Sequence, residues 1–348
     1  MEKKYKNILV IKMSALGDII HALPSLYELR QLYPNAKISW LVEPQFKDIL
    51  PEMPYIDNKI IFCKNDLKKK SFLQKLSYLH NLRKELHSYK FDLVIDLQGL
   101  MKSSLIVLLS GCSNRIGYCE MREGSFLFTK AICGPNAKGH VVQRYLDVMR
   151  YLGSQVDKVY FPLPAFTKER QKMSDLLHDG GIVGKYVVFF PGSRWLTKEW
   201  PVECYAELAK ELLLDGLSVI IAGGADDKEK GCKIKELTEN EAIFDLTGQT
   251  SLTEMAGLVR DASLCVGGDT GPMHIAAASG VPTLSLFGPV NPARTGAYGE
   301  CSSFVVTNVH CAPCFKRVCP KKEFICMPSI MPQNVLAEAR KIILCGEV

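Results

Sequence analysis

Residues Gly267-Gly268-Asp269-Thr270-Gly271-Pro272-Met273-His274 set an acid, a hydroxyl and an imidazole among three glycines. The apolar run Leu264-Cys265-Val266 before them reads as a buried strand; Pro272 sits where a helix's first turn begins and Gly280 where it ends. Such a junction aims unpaired backbone N–H groups and the positive end of a helix dipole at one point, which suits an anion such as a phosphate. An ordinary glycine turn is the plainer alternative. Thr270 and Gly271, with the acid before them, favour phosphate.

Three more loops follow apolar strand-like runs. In Ser14-Ala15-Leu16-Gly17-Asp18-Ile19-Ile20-His21, Asp18 stands where a general base would be, or where a helix-capping carboxylate would be. Phe190 to Pro201 mixes small residues, Ser193 and the cations Arg194 and Lys198; Lys198 is either a counter-charge for a leaving diphosphate or a solvated surface lysine. Gly223-Gly224-Ala225-Asp226-Asp227 offers carboxylates suited to ribose hydroxyls. No Gly-x-Gly-x-x-Gly is present, which disfavours a dehydrogenase-type dinucleotide site.

The elements needed to position these loops are legible as alternation. Strands are expected over 7–13, 37–42, 91–97, 186–190, 218–222, 264–266 and 283–287, with helices over 24–32, 102–109 and 202–214. Short buried strands between helices imply parallel sheets covered on both faces. With 348 residues and 47% hydrophobic content the chain can build two cores. The expected division is a domain over 1–165, a linker over 166–184 containing a polar helix, a second domain over 185–330, and a C-terminal helix over 331–348 packing back across the molecule. The fold class is α/β: two Rossmann-like doubly wound domains facing a cleft, with ligands at the carboxyl ends of strands.

A net charge of +6 favours an acidic substrate or anionic surface and is too small to argue for nucleic acid. Lys12 interrupts the apolar run of the N-terminus, so that segment does not read as a signal peptide. No stretch approaches the ~20 apolar residues of a membrane span. Thirteen cysteines without an export signal suggest reduced thiols in the cytoplasm.

Taken together, Lys12 to Asp18 with His21, Leu23 and Pro24, Ile95-Asp96-Leu97-Gln98-Gly99-Leu100 with Lys102 and Ser103, Arg122-Glu123, Lys198 with Trp200-Pro201, and Asp269-Thr270-Gly271 with His274 and Phe287-Gly288-Pro289 resemble glycosyltransferase family 9, the lipopolysaccharide heptosyltransferases. The resemblance spans nearly the whole chain. It implies a GT-B fold and an inverting, metal-independent transfer, with no cofactor, of L-glycero-D-manno-heptose from ADP-heptose to the Kdo region of Kdo2-lipid A. It also implies a cytoplasmic enzyme in peripheral contact with the inner membrane. Asp18 would be the catalytic base. Ser193, Arg194 and Lys198 would meet the donor phosphates, Asp227 (or Asp226) the ribose, Thr250 the adenine, Asp269 the heptose, and Thr270, Gly271 and His274 the diphosphate. Lys102, Arg115 and Arg122 are acceptor candidates. Transfer to an already heptosylated acceptor, another family 9 sugar transfer, and non-catalytic nucleotide-sugar binding remain alternatives.

Two features sit beside that pattern. Lys68-Lys69-Lys70, Lys75, Arg83, Lys84 and Lys90 form a basic run, either the solvated face of a helix or a surface for an anionic lipid acceptor. Cys311, Cys314, Cys319 and Cys326, next to His310, form a C-x2-C-x4-C-x6-C tail that is either a zinc site or a set of loosely packed thiols.

Overall fold

The computed structural model describes residues 5–64, 70–240, 242–321 and 323–345; Lys68 and Lys69 of the basic run lie outside them. The chain divides into two compact units, Met1–Pro164 and Ala165–Val348.

In the first unit, strands β1 (Asn7–Ile11), β2 (Lys37–Val42), β3 (Asn58–Ile61), β4 (Leu93–Asp96), β5 (Arg115–Tyr118) and β6 (Lys130–Ile132) form one sheet in the order β3-β2-β1-β4-β5-β6. Every neighbouring pair is parallel. Helices α1 (Leu16–Leu32), α2 (Phe72–Ser88), α3 (Met101–Leu109) and α4 (Val141–Tyr151) flank it. The second unit repeats the plan. Strands β7 (Tyr186–Phe190), β8 (Ser218–Ile221), β9 (Ile243–Asp245), β10 (Leu264–Gly268), β11 (Thr283–Phe287) and β12 (Ser302–Val306) run parallel in the order β12-β11-β10-β7-β8-β9.

The chain winds outward from β1 to β3, then returns to place β4 against the other side of β1. It does the same from β7 to β9 before β10. Sheets of this kind bind ligands outside the carboxyl ends of the strands at that reversal. Four loops are thereby selected: those after β1 and β4, and those after β7 and β10. They are the loops that carry Asp18, Gln98, Lys198 and Asp269.

Full burial on both faces makes the central strands almost wholly apolar. Leu9, Ile11, Leu41 and Val94 join Leu82 and Leu86 of α2 and Ile106 and Val107 of α3 in the first core. In the second, Val187, Phe189, Val266 and Leu286 meet Trp200, Tyr205 and Leu208. Trp200 stands edge-on to Tyr205 at 4.9 Å and donates its indole N–H to the Ile330 carbonyl at 2.9 Å, pinning the C-terminal tail to the core.

Four features bear on those expectations. First, α1 begins at Leu16 rather than Pro24, which lies inside the helix; Ala15 is an extended N-cap and Asp18 closes the first turn, so the proline does not mark the start. Second, the polar stretch expected as a linker contains α5 (Thr167–Asp179), docked on α8 (Leu252–Val259) of the second unit. The contact is close: a Cβ on Gly257 would stand 2.7 Å from the Arg170 backbone nitrogen. Third, the C-terminal helix α10 (Pro332–Cys345) lies on α6 (Val202–Leu214), β10 and β11, where Arg340 pairs with Asp215 at 2.7 Å. Fourth, Cys119 and Cys133, at the ends of neighbouring strands β5 and β6 with Cα atoms 4.6 Å apart, are disulfide-bonded, whereas ten other described cysteines are free. Among the described residues, no helix is long and apolar enough to cross a membrane.

Candidate active site at the two strand reversals

The first constellation is organised by Asp96, the last residue of β4 and wholly buried. Its Oδ1 accepts hydrogen bonds from the backbone N–H groups of Gln98 (2.9 Å) and Gly99 (3.0 Å), and its Oδ2 from the Ser103 hydroxyl (2.8 Å). Burial pushes this carboxyl's pKa up, against the pull of those three bonds and of Lys12. Gln98, fixed in this way, accepts from the backbone N–H groups of Met13 (3.0 Å) and Ser14 (3.1 Å) through Oε1. The strand β4 therefore dictates the path of the loop leading to Asp18.

Asp18 occupies the third position of α1, where its Oδ2 accepts from the Ala15 N–H at 3.2 Å. The capping role anticipated as an alternative is thus real, but it uses one carboxylate oxygen; the other accepts no hydrogen bond from the described residues. Beneath it lies Lys12, buried to 2% exposure, whose Nζ donates to the Leu97 carbonyl (2.8 Å) and the Tyr145 hydroxyl (2.6 Å). Burial pushes the Lys12 pKa down, and the carboxylates of Asp18 and Asp96 oppose that shift. Tyr145 stands edge-on to Tyr118 at 4.9 Å. Burial, with the Asp18 charge adding to it, pushes the Tyr118 phenol up to about 12. Lys102 reaches the same loop, donating to the Ser14 hydroxyl at 3.3 Å.

Of the three acceptor candidates, two come together here. Lys102 does so directly, and Arg122 is held by its backbone N–H to the Gly99 carbonyl at 2.9 Å. Arg115 does not: it starts β5 opposite Val94, at the amino end of the strand, whereas the site lies beyond the carboxyl end. Position along a parallel strand, which charge alone does not reveal, sets it apart from the other two.

The second constellation centres on Asp269. Lys198 Nζ lies 2.6 Å from Asp269 Oδ2, and His274 Nε2 lies 3.3 Å from Oδ1. The Asp269 side chain is only 6% exposed. Burial would raise its pKa, but His274 and Lys198 outweigh burial and hold it below the ordinary carboxylate value. The approach of the two loops requires glycine at 268, because a Cβ there would stand 2.6 Å from the Lys198 carbonyl oxygen. Helix α9 (Gly271–Ala278) starts immediately afterwards, with Thr270 as its extended N-cap. The Thr270 Oγ1 is buried and has no hydrogen-bond partner among the described residues. An anion at this helix start would meet Lys198, that hydroxyl and free backbone N–H groups.

Neighbouring loops are tied to it by residues that the sequence did not flag. Glu199 accepts from the Ser193 N–H at 3.0 Å and from Lys230 at 2.7 Å; Lys230, on α7 (Lys228–Thr238), also bonds Asp227 at 3.1 Å. Asp227 further accepts from the Gly224 N–H at 3.0 Å. Arg194 and Asp226 are exposed, and Thr250 is half-buried next to Ser251, which caps α8. Lys198 is therefore neither free nor solvated: it is an ion-pair partner resting 4.5 Å from the centre of the Trp195 ring. In the C-terminal tail the four cysteines are unlinked, and among the described residues no three His, Cys, Asp or Glu side chains are grouped to hold a metal ion.

The depressed Asp269 pKa has a definite sign. Its pairing stabilises the fold above the ordinary carboxylate pKa and is lost as pH falls through the lower folded value. Urea unfolding of the wild type and Asp269→Asn should show a gap at pH 5 that closes as pH falls below about 4. A gap independent of pH down to 3 would show that the carboxylate is not held ionised by these partners.

The family model for glycosyltransferase family 9 (heptosyltransferase) matches residues 79–325. The chain is 32% identical to lipopolysaccharide heptosyltransferase 1 of Pseudomonas aeruginosa, covering 98% of this chain and 99% of that protein. Among solved structures, the family 9 glycosyl transferase of Veillonella parvula superposes with a TM-score of 0.83 at 23% identity, covering 99% of each chain. The heptosyltransferase WaaC of E. coli with ADP does so with a TM-score of 0.76 at 24% identity, covering 97% of this chain and 99% of that one. Motifs, fold and similarity over nearly the full length converge: the chain belongs to glycosyltransferase family 9, the heptosyltransferases.

Proposed function

We propose that this chain transfers L-glycero-D-manno-heptose from ADP-heptose to the Kdo region of Kdo2-lipid A, as a type 1 lipopolysaccharide heptosyltransferase. The observation that carries the reading is the division of chemistry between the two strand reversals: a carboxylate with an uncommitted oxygen at one, and a cation beside a helix N-terminus at the other. That division matches the two demands of an inverting displacement. The acceptor hydroxyl must lose a proton as it attacks, and the leaving diphosphate must have its charge neutralised.

In this reading Asp18 takes the proton through its uncommitted oxygen while the acceptor oxygen bonds to the anomeric carbon and the bond to ADP breaks on the opposite face. Lys102 and Arg122 offer the acceptor positive charge suited to Kdo carboxylates, with Lys12 buried beneath Asp18. Ser193, Arg194, Lys198, Thr270, Gly271 and His274 serve the donor diphosphate. Asp227 faces the ribose, Thr250 lies towards the adenine, and Asp269 faces the heptose while holding Lys198. A single carboxylate suffices because a diphosphate leaves with little protonation, unlike the alcohol released by a glycosidase with its flanking acid pair.

An acceptor anchored in a membrane also gives α2 a role. That helix buries only Leu82 and Leu86, while Phe72 (74% exposed), Leu73 (76%) and Leu76 (50%) stand out beside Lys70 and Lys75. Apolar side chains flanked by lysines suit shallow insertion into an anionic leaflet, which supports a peripheral inner-membrane location on the cytoplasmic side.

Incubation of the purified protein with ADP-heptose and Kdo2-lipid A should release ADP and give a product one heptose heavier, with equal yield in EDTA. Transfer only to an already heptosylated acceptor would move the assignment to a later heptose of the core; no transfer to either would overturn the reading. For the membrane contact, the wild type should float with phosphatidylglycerol vesicles and a Phe72→Ser, Leu73→Ser, Leu76→Ser variant should sediment. Equal flotation of the two would remove α2 as the contact.

A further inference from the structure

The cysteine-bearing tail is the one sequence motif to which the proposed reaction gives no task, and the structure fastens it to the phosphate loop. The Thr197 hydroxyl, on the turn that carries Lys198, donates to the Lys316 carbonyl at 3.0 Å. The Phe315 N–H donates to the Pro289 carbonyl at 2.8 Å, fixing the neighbouring residue from the β11 side. Further along, Met327 is wholly buried against Gly288, where a Cβ would stand 2.7 Å from its sulfur. Between these anchors Arg317 lays its guanidinium 5.2 Å from the centre of the Trp195 ring, the ring that Lys198 approaches to 4.5 Å. Two cations from segments about 120 residues apart in sequence therefore share one indole.

Charge accounting gives that placement a purpose. Lys198 is already paired with Asp269, so the two together bring no net charge to an incoming ligand. A nucleoside diphosphate carries two to three negative charges, and a helix N-terminus contributes only about half a positive charge. Arg194 on the same loop is exposed, which leaves charge to be supplied by a cation held beside Lys198. A guanidinium stacked on an aromatic face is held in orientation while its N–H edge stays free to bond two phosphate oxygens at once. Arg317 is exposed and has no carboxylate partner among the described residues.

We propose that Arg317 is a further diphosphate-binding cation of the donor site, delivered by the C-terminal tail, and that Trp195 orients it beside Lys198. The proposal rests on the reading of this site as a nucleoside-diphosphate site. It assigns the tail a binding task that needs no metal: its anchors present Phe315, Lys316 and Arg317 to the loop after β7.

Calorimetry of ADP and AMP with the full-length protein tests it. Arg317→Ala should weaken ADP about tenfold or more and AMP by less than threefold, because a charged hydrogen bond to the second phosphate is lost only with ADP. Arg317→Lys should recover part of the loss. An unchanged ADP affinity in Arg317→Ala, or equal losses for ADP and AMP, would overturn the proposal and leave Arg317 as a packing residue. If the wild type binds neither nucleotide, the donor-site reading itself fails, which is a separate result from a wild type that binds ADP and a variant that binds it equally well.

Discussion

The ion pair between Lys198 and Asp269 is the interaction around which the second unit's site is built. Two charges of opposite sign, both largely out of water, remain there only because their geometry is close and His274 satisfies the second carboxylate oxygen. Holding them together brings the loop after β7 against the end of β10, which is why residue 268 must be glycine. The same contact sets Lys198 beside Trp195 and Asp269 at the start of α9. Loss of either partner would strand a buried charge next to the anion site, so binding and stability are coupled at this point.

The first unit solves the corresponding problem with different chemistry. β4 and β10 occupy equivalent places in the two sheets, each across the reversal from the first strand of its unit. Asp96 ends β4 and Asp269 follows β10, so a buried carboxylate stands at the same topological position in both. Asp96 spends its lone pairs on backbone N–H groups and a hydroxyl, and so fixes a loop. Asp269 spends its lone pairs on a lysine and a histidine, and so fixes a cation. One plan therefore yields a rigid frame for a base in one unit and an electropositive cradle in the other.

Much of this was legible in the sequence, and what was not has physical reasons. Short apolar runs ending in glycine or acid revealed most of the central strands and three of the four loops at the reversals, those after β1, β7 and β10, since double-sided burial leaves little freedom in composition; the loop after β4 came only with the family resemblance. The start of α1 was hidden because Pro24 mimics a helix beginning, although a capped first turn precedes it. Lys12 read as an interruption of an apolar run; it is buried because a tyrosine 133 residues away accepts its proton-bearing nitrogen's hydrogen bond. Gln98 was noticed as part of a motif, but its task depends on two backbone N–H groups more than eighty residues away. Glu199 and Lys230 were unreadable for the same reason, and the position of Arg115 at the amino end of β5 was hidden because a sequence does not say which end of a strand faces a site. Contacts between distant loops, not local propensities, carried the missing information.

The central claim is that the two strand reversals divide the reaction, one deprotonating the acceptor and the other binding the departing ADP. Its most direct test is a paired measurement of ADP affinity and heptose turnover for Asp18→Asn and Lys198→Ala. The account predicts a separation: Asp18→Asn binds ADP as the wild type does while losing about a hundredfold to ten-thousandfold in turnover, whereas Lys198→Ala loses ADP affinity as well as turnover. If Asp18→Asn turns over normally, or if Lys198→Ala binds ADP undiminished, the assignment of chemistry to these two sites is wrong.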